Sequence, residues 1–329
     1  MKIAFFWLGF NGRYGKWNDG LAAAMRLIEQ EHTVRYFDIN EGTISECITF
    51  QPDVVLYWEA PCTILGKDSA SYKSIQQLPF KKILLFAGGQ IRKEWVTGFD
   101  KLLVESAINE KECADLGIPY ARAFGTNETV FSPVGAPNSP KTAPKTKGKK
   151  KKVPSTEEPE TAPQIAKLYD GVMHATFADW KRHTLFAEAL GDKGLVIGRK
   201  QEHDLNGYNA CVERGVHILG EIAQENLPTY FAQVWSVVNT SRDDGGGQRC
   251  TLEAMACNIP PIVMADSPKN AEFVLDSGYG LVAEPNTPSI QRAIDEIKTW
   301  SPERIAEGRK YILSKWTARH YADAILANI

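Results

Sequence analysis

Short apolar runs recur along this chain, and most are separated by longer stretches in which polar residues return with a helical period. Residues 2–8 (Lys-Ile-Ala-Phe-Phe-Trp-Leu) lack polar alternation, the pattern of a strand buried on both faces. Residues 9–15 read as a loop, and Asn18 or Asp19 can cap a helix reaching about residue 29. Further strands are predicted over 32–38, 52–58, 82–87 and 101–104, then a helix over 109–116 and a short strand near Tyr120. The pattern resumes with strands over 171–176, 194–198, 216–220 and 234–238. Helices are predicted over 182–190, with Asp179 as cap, over 227–232, and in the tail from 301 to 329. Strands alternating with helices predict doubly wound parallel sheets that bind ligands at the carboxyl ends of their strands.

Residues 134–163 interrupt this order. Pro, Lys, Thr and Gly dominate, Lys149 to Lys152 are consecutive, and Glu157, Glu158 and Glu160 follow. With no apolar period to bury, the segment reads as a flexible linker between two domains. Its lysines, from Lys147 to Lys152, are a candidate contact for an anionic partner such as nucleic acid, against the simpler reading of a solvated linker.

The most informative stretch begins at the apolar run 234–238. Asn239-Thr-Ser-Arg-Asp-Asp-Gly-Gly-Gly-Gln248 follows, and a helix is predicted to open at Thr251. Strand, glycine loop and helix start aim backbone N–H groups and the positive end of a helix dipole at one place, which suits a phosphate or diphosphate. Glycines alone are equally consistent with a ligand-free turn between strand and helix.

Neighbouring residues decide between these. Thr240-Ser241 followed by Glu253-Ala-Met-Ala-Cys-Asn-Ile-Pro260 resembles the signature of retaining nucleotide-sugar glycosyltransferases of the GT-B fold. Glu272-Phe-Val-Leu-Asp-Ser-Gly-Tyr-Gly-Leu-Val-Ala-Glu-Pro285 is similar to the next block of that family. Ser106, Leu116-Gly-Ile-Pro119 and Gly125-Thr-Asn-Glu-Thr-Val-Phe-Ser-Pro133 resemble the end of its amino-terminal domain, and Trp316 its last helix. The likeness is strongest between 216 and 290 and thin over the first 80 residues. It implies two Rossmann-like α/β domains, an acceptor-side domain over 1–133 and a donor domain over 164–300, with 301–329 crossing back as a helix onto the first.

The resemblance also implies roles. Lys181 and Arg182, before the first helix of the second domain, would neutralise the leaving diphosphate. A second family arginine is missing from the region His174-Ala-Thr176, with Arg199 or Arg249 as possible substitutes. Glu253 would accept hydrogen bonds from the ribose hydroxyls. Asp244, with Asp243 as reserve, would contact the donor sugar. Gly246, Gly247 and Gln248 would present N–H groups to the phosphates, and Gly220 would lie beside the base. Acceptor contacts would come from loops 9–16, 59–62 and 88–92; Gly88-Gly-Gln90 replaces a histidine found in many relatives.

Composition narrows the class further. A chain of 329 residues with 43% hydrophobic content can fill two cores, and a net charge of −2 is unlike a wholly basic nucleic-acid binder. The six cysteines show no C-x-x-C spacing and read as reduced, buried thiols of a cytoplasmic protein. No run reaches the length of a membrane helix, and the amino-terminal apolar run is too short for a signal peptide. The six histidines form no ligand-spaced cluster and no Asp-x-Asp motif occurs, so no cofactor or metal is expected. The sequence therefore predicts transfer of a hexose-type sugar from a nucleoside-diphosphate sugar, with retention, to an unidentified acceptor. The alternatives are a nucleotide-sugar binding protein without turnover and an enzyme whose acceptor is nucleic acid.

Overall fold

The computed structural model describes residues 1–7, 19–38, 43–58, 70–87, 89–135, 165–201, 205–242 and 248–329. The linker 134–163, with its lysines 147 to 152, lies outside these residues from 136 onward, and loops 9–16 and 59–62 lie outside them altogether.

Two six-stranded parallel sheets form the two halves. The first contains β1 (Lys2–Phe6), β2 (Thr33–Phe37), β3 (Val54–Trp58), β4 (Lys81–Phe86), β5 (Lys101–Val104) and β6 (Tyr120–Arg122), in the order β2-β1-β3-β4-β5-β6. The unbroken apolar run of β3 is buried along its whole length, while the edge strands β2 and β6 are partly exposed. Covered faces on both sides are what parallel strands joined by helices require.

The second sheet contains β7 (Tyr169–His174), β8 (Gly194–Ile197), β9 (His217–Ile218), β10 (Val234–Asn239), β11 (Pro261–Met264) and β12 (Leu281–Ala283). Its order is β12-β11-β10-β7-β8-β9. The chain therefore runs outward from β7 to β9, returns to β10 beside β7, and runs outward on the other side. This order places the topological switch point, and so the crevice, between β7 and β10. The two strands pair in parallel, Ser236 opposite Gly171 and Val237 opposite Val172. A Cβ on Gly171 would stand 2.8 Å from Val238 and 2.9 Å from Leu190, so no larger residue fits there.

Three carboxy-terminal helices join the halves: Pro302–Ile305, Glu307–Lys315 and Ala318–Leu326. Ile312 is buried in the second half, among Met255, Phe273 and Tyr279. Tyr321, Ala322 and Ile325 are buried in the first, among Ile3, Phe5 and Trp7. The chain changes sides at Trp316 and Thr317, where Trp316 O accepts from Thr126 N at 2.8 Å. Thr317 and His320 close a capping box that starts the last helix. The crossover implied by resemblance is present.

Residue-level expectations differ at the helix start after β7. Asp179 does not cap the helix after β7; it opens a 3-10 turn, Asp179–Lys181, and Arg182 becomes the cap of the helix His183–Leu190 in a left-handed conformation, φ 55°. No helix among the described residues is long and apolar enough to cross a membrane.

Candidate functional site

The carboxyl ends of β7, β8 and β9 are stitched by backbone hydrogen bonds, Ala175 N to Ile197 O (3.0 Å), Phe177 N to Arg199 O (2.9 Å) and Gly198 N to Gly220 O (2.9 Å). Gly198 packs so tightly against the Ala175 carbonyl that a Cβ there would collide with it. Gly220 has φ 71°, a conformation that favours glycine, and turns the chain beyond β9.

Across the switch point, Asn239, Thr240 and Ser241 end β10 and are buried. Asn239 is held by Asn270, whose Oδ1 accepts from its amide at 3.1 Å, and Asn239 Oδ1 accepts from Ser241 N at 3.2 Å. Thr240 donates to the Lys181 carbonyl at 2.7 Å. The Ser241 hydroxyl is fully covered yet has no hydrogen-bond partner among the described residues. It stands four residues before Gly245, the first glycine of the loop.

Arg182 reaches the same place from β7. Its Nε donates to Thr240 O (2.5 Å), one terminal nitrogen to Ser241 O (3.3 Å), and the guanidinium fork meets Asp266 at 2.6 and 2.8 Å. The guanidinium in turn holds the Asp266 carboxyl below its ordinary value. Arg182 thus binds β7, β10 and the turn after β11 to one another, and Lys181 precedes it in the 3-10 turn.

The helix Gln248–Ala256 begins just after the glycine loop, three residues before the predicted start. Its buried face carries Cys250 and Glu253, and the buried Cys257 follows its last residue. Glu253 is only 5% exposed. Its Oε2 lies 3.6 Å from Nδ1 of His174, the last residue of β7. Donor atoms of His174, Cys250 and Glu253 all lie within 4.8 Å of one another. Burial alone would lower the His174 pKa, but its interactions with Cys250 and Glu253 outweigh burial and raise it to about 10. Sequence spacing missed this group because its members meet only when β7 and the helix after β10 fold together. The signal present in the sequence was His174 itself, standing where the family arginine is absent.

The first half faces this crevice with Glu105, which follows β5 and is 5% exposed. Burial pushes its carboxyl up to about 7, against the pull of Arg249 and Lys269 from the second half. Lys269 also donates to the Gly89 carbonyl, and Asn109 donates to the same oxygen at 3.2 Å. Of the predicted site residues, Lys181 and Arg182 follow β7, Gln248 and Glu253 lie on the helix after β10, and Gly220 follows the outer strand β9. Asp243, Asp244, Gly246 and Gly247 lie outside the described residues.

Residues 176–299 match the family model described as glycosyl transferases group 1. No curated protein sequence matches the chain. Among solved structures, the sucrose-phosphate synthase of Thermosynechococcus elongatus is similar over 99% of this chain and 98% of its own, at TM-score 0.70 and 14% identity. HepE of Anabaena, in complex with UDP and glucose, is similar over 99% and 98%, at TM-score 0.69 and 11% identity. A glycosyltransferase of Rickettsia africae is similar over 99% and 97%, at TM-score 0.65 and 12% identity. The chain therefore has the GT-B fold from end to end, and its residues 176–299 match the glycosyl transferases group 1 family.

Proposed function

We propose that this protein is a glycosyltransferase that moves a hexose-type sugar from a nucleoside-diphosphate sugar to an acceptor, with retention at the anomeric carbon. The observation that carries this reading is the convergence of a buried carboxylate (Glu253), a buried unpartnered hydroxyl (Ser241) and a helix start at the β7/β10 switch point. Glu253 has the two acceptor oxygens that a ribose diol needs. The helix that opens at Gln248 offers its positive dipole end to the diphosphate, and Gly246, Gly247 and Gln248 are assigned to it as N–H donors. Lys181 adds charge that counts most as the leaving diphosphate gains its own. Asp244 is assigned to the donor sugar and Gly220 to the base. The Arg182 guanidinium, already paired with Asp266, braces Thr240 and Ser241 so that the phosphate-side loop starts from a fixed place. No metal ion or other cofactor is assigned a part.

That same pairing favours a second reading, a nucleotide-sugar binding protein without turnover, because a guanidinium held by Asp266 is less available to a phosphate. Incubation with a panel of UDP-, GDP- and ADP-sugars, in the presence of a chelator, separates the two. Release of nucleoside diphosphate and an NMR assignment of the anomer in the product are expected for the transferase. Saturable binding with no release over long incubation would establish the binding protein instead.

A further inference from the structure

His174 has no place in the roles assigned above, yet it is the side chain set against the buried Glu253. It closes β7 at the switch point, where its ring packs edge-on to Phe231 with centroids 6.2 Å apart. Its Nδ1 is fully covered and makes no hydrogen bond within normal reach among the described residues. Glu253 Oε2 stands 3.6 Å from it. Cys250 lies three residues before Glu253 on the same helix, a spacing that puts both on one face. A carboxylate with 7% of its side chain exposed needs a compensating charge, because an isolated buried anion is strongly disfavoured.

We propose that His174 is a positioning residue whose imidazolium holds the Glu253 carboxylate charged and oriented for the two ribose hydroxyls of a bound nucleoside diphosphate. This inference rests on the reading of Glu253 as the ribose acceptor. A raised proton affinity agrees with it, since a ring with a pKa of about 10 is charged at neutral pH. The consequence is chemical selectivity. The His174–Glu253 pair makes the site a reader of ribose against 2′-deoxyribose, because a carboxylate aimed at a vicinal diol loses a charge-assisted bond when one hydroxyl is missing. A site built to bond a hydroxyl discriminates more sharply than an apolar one.

The test measures calorimetric affinities of the full chain for UDP, GDP and ADP, each against its 2′-deoxy counterpart. For the best-bound base, the wild type is expected to prefer the ribonucleotide by about tenfold, the loss of one hydrogen bond to a charged group. Glu253→Gln should reduce that preference. His174→Ala should bring it within about twofold, at a lowered melting temperature because the buried carboxylate loses its partner. His174→Asn should retain part of it, because its amide nitrogen stands near the Nδ1 position without the charge. A purely structural histidine would alter affinity for both sugars alike. If the wild type shows no preference, the assignment of Glu253 to ribose fails. If the wild type discriminates, Glu253→Gln does not and His174→Ala still does, the assignment stands and the role of His174 is overturned. Should His174→Ala not fold, His174→Asn decides, with an unchanged tenfold preference counting against the proposal. Stoichiometric Zn²⁺ uptake lost in Cys250→Ser would also overturn it, because the three groups would then be a metal site.

Discussion

His183 is 1% exposed, stacks on Phe177 with centroids 4.1 Å apart, and leaves both ring nitrogens without a hydrogen-bond partner among the described residues. Burial lowers its pKa to about 4 from 6.5. Between those values the unfolded chain binds the proton and the folded one does not, so stability rises with pH across that window and is complete above pH 6.5. We expect His183→Phe, which keeps the stack, to be less sensitive to a drop from pH 7 to pH 5 than the wild type in urea unfolding. An equal loss in both proteins would exclude His183 as the cause. His174, in the same half, has the opposite sign: its raised pKa favours the fold below pH 6.5, and that favour is lost as pH rises through about 10. Opposed histidines of this kind were not legible in the sequence, where each is one polar residue near an apolar run. Glu253 was legible because it belongs to a contiguous signature, and Arg182 because it precedes a helix. The partners, His174 and Asp266, come from distant segments.

Glu272 shows how one helix fixes another. Its Oε2 accepts from Ala107 N at 2.9 Å, at the amino end of the helix Ala107–Leu116, and its other oxygen pairs with Arg122. The carboxylate meets both a helix dipole and a guanidinium, and Arg122 lies over the Trp316 ring at 4.8 Å. One contact cluster thus ties both halves and the crossover together. Glu272→Ala should cost about 2 kcal/mol, since it removes the shortest carboxylate partner of a partly buried cation and the acceptor of Ala107 N, although Ser106 still caps the helix. Urea unfolding should show a lower midpoint with an unchanged slope; a midpoint equal to wild type would mean that solvent replaces the carboxylate without cost. Elements differ in how openly the sequence shows them. β3 is apolar throughout, and β1, β4 and β10 each carry an apolar core run (Ile3–Phe6, Ile83–Phe86, Val237–Val238) that was readable because burial on both faces leaves few polar positions. The helix Thr287–Ile297 was not singled out, although Asn286 caps it and Ile290, Ile294 and Ile297 mark its buried face. The strand β11 is short and begins at the second of the prolines 260 and 261, residues that signal a helix stop more strongly than a strand. The extent of the helix Gln248–Ala256 was hidden because its first residues, Gln248 and Arg249, are polar and follow glycines.

At the level of the whole molecule, the two halves share their cores unequally. The first half lacks a complete wall until the helix Ala318–Leu326 lies against Leu21, Met25 and Ile28. Lys101 adds a bond to Asn328 Oδ1 at 2.9 Å. A chain ending at residue 316 should therefore unfold its first half at a markedly lower temperature, because several large side chains would lose their cover at once. Calorimetry should resolve a low-temperature transition absent from the full-length protein; a single unshifted transition would show that the last helix is dispensable. Long-range closure of this sort follows from resemblance to a family but not from local pattern, since nothing near residue 3 announces a partner near residue 325.

The late arrival of that helix bears on synthesis. On the ribosome the first six strands emerge early, yet Ile3, Phe5 and Trp7 obtain Tyr321, Ala322 and Ile325 as neighbours only after the second half has also been made. Of the two halves, the one made first is thus the one closed last. Until the helix Ala318–Leu326 emerges, its apolar face is open to chaperones or to another nascent chain, the exposure that makes folding intermediates prone to aggregate. A ribosome stalled anywhere before the final helix would hold a nearly complete second half beside a first half still waiting to close.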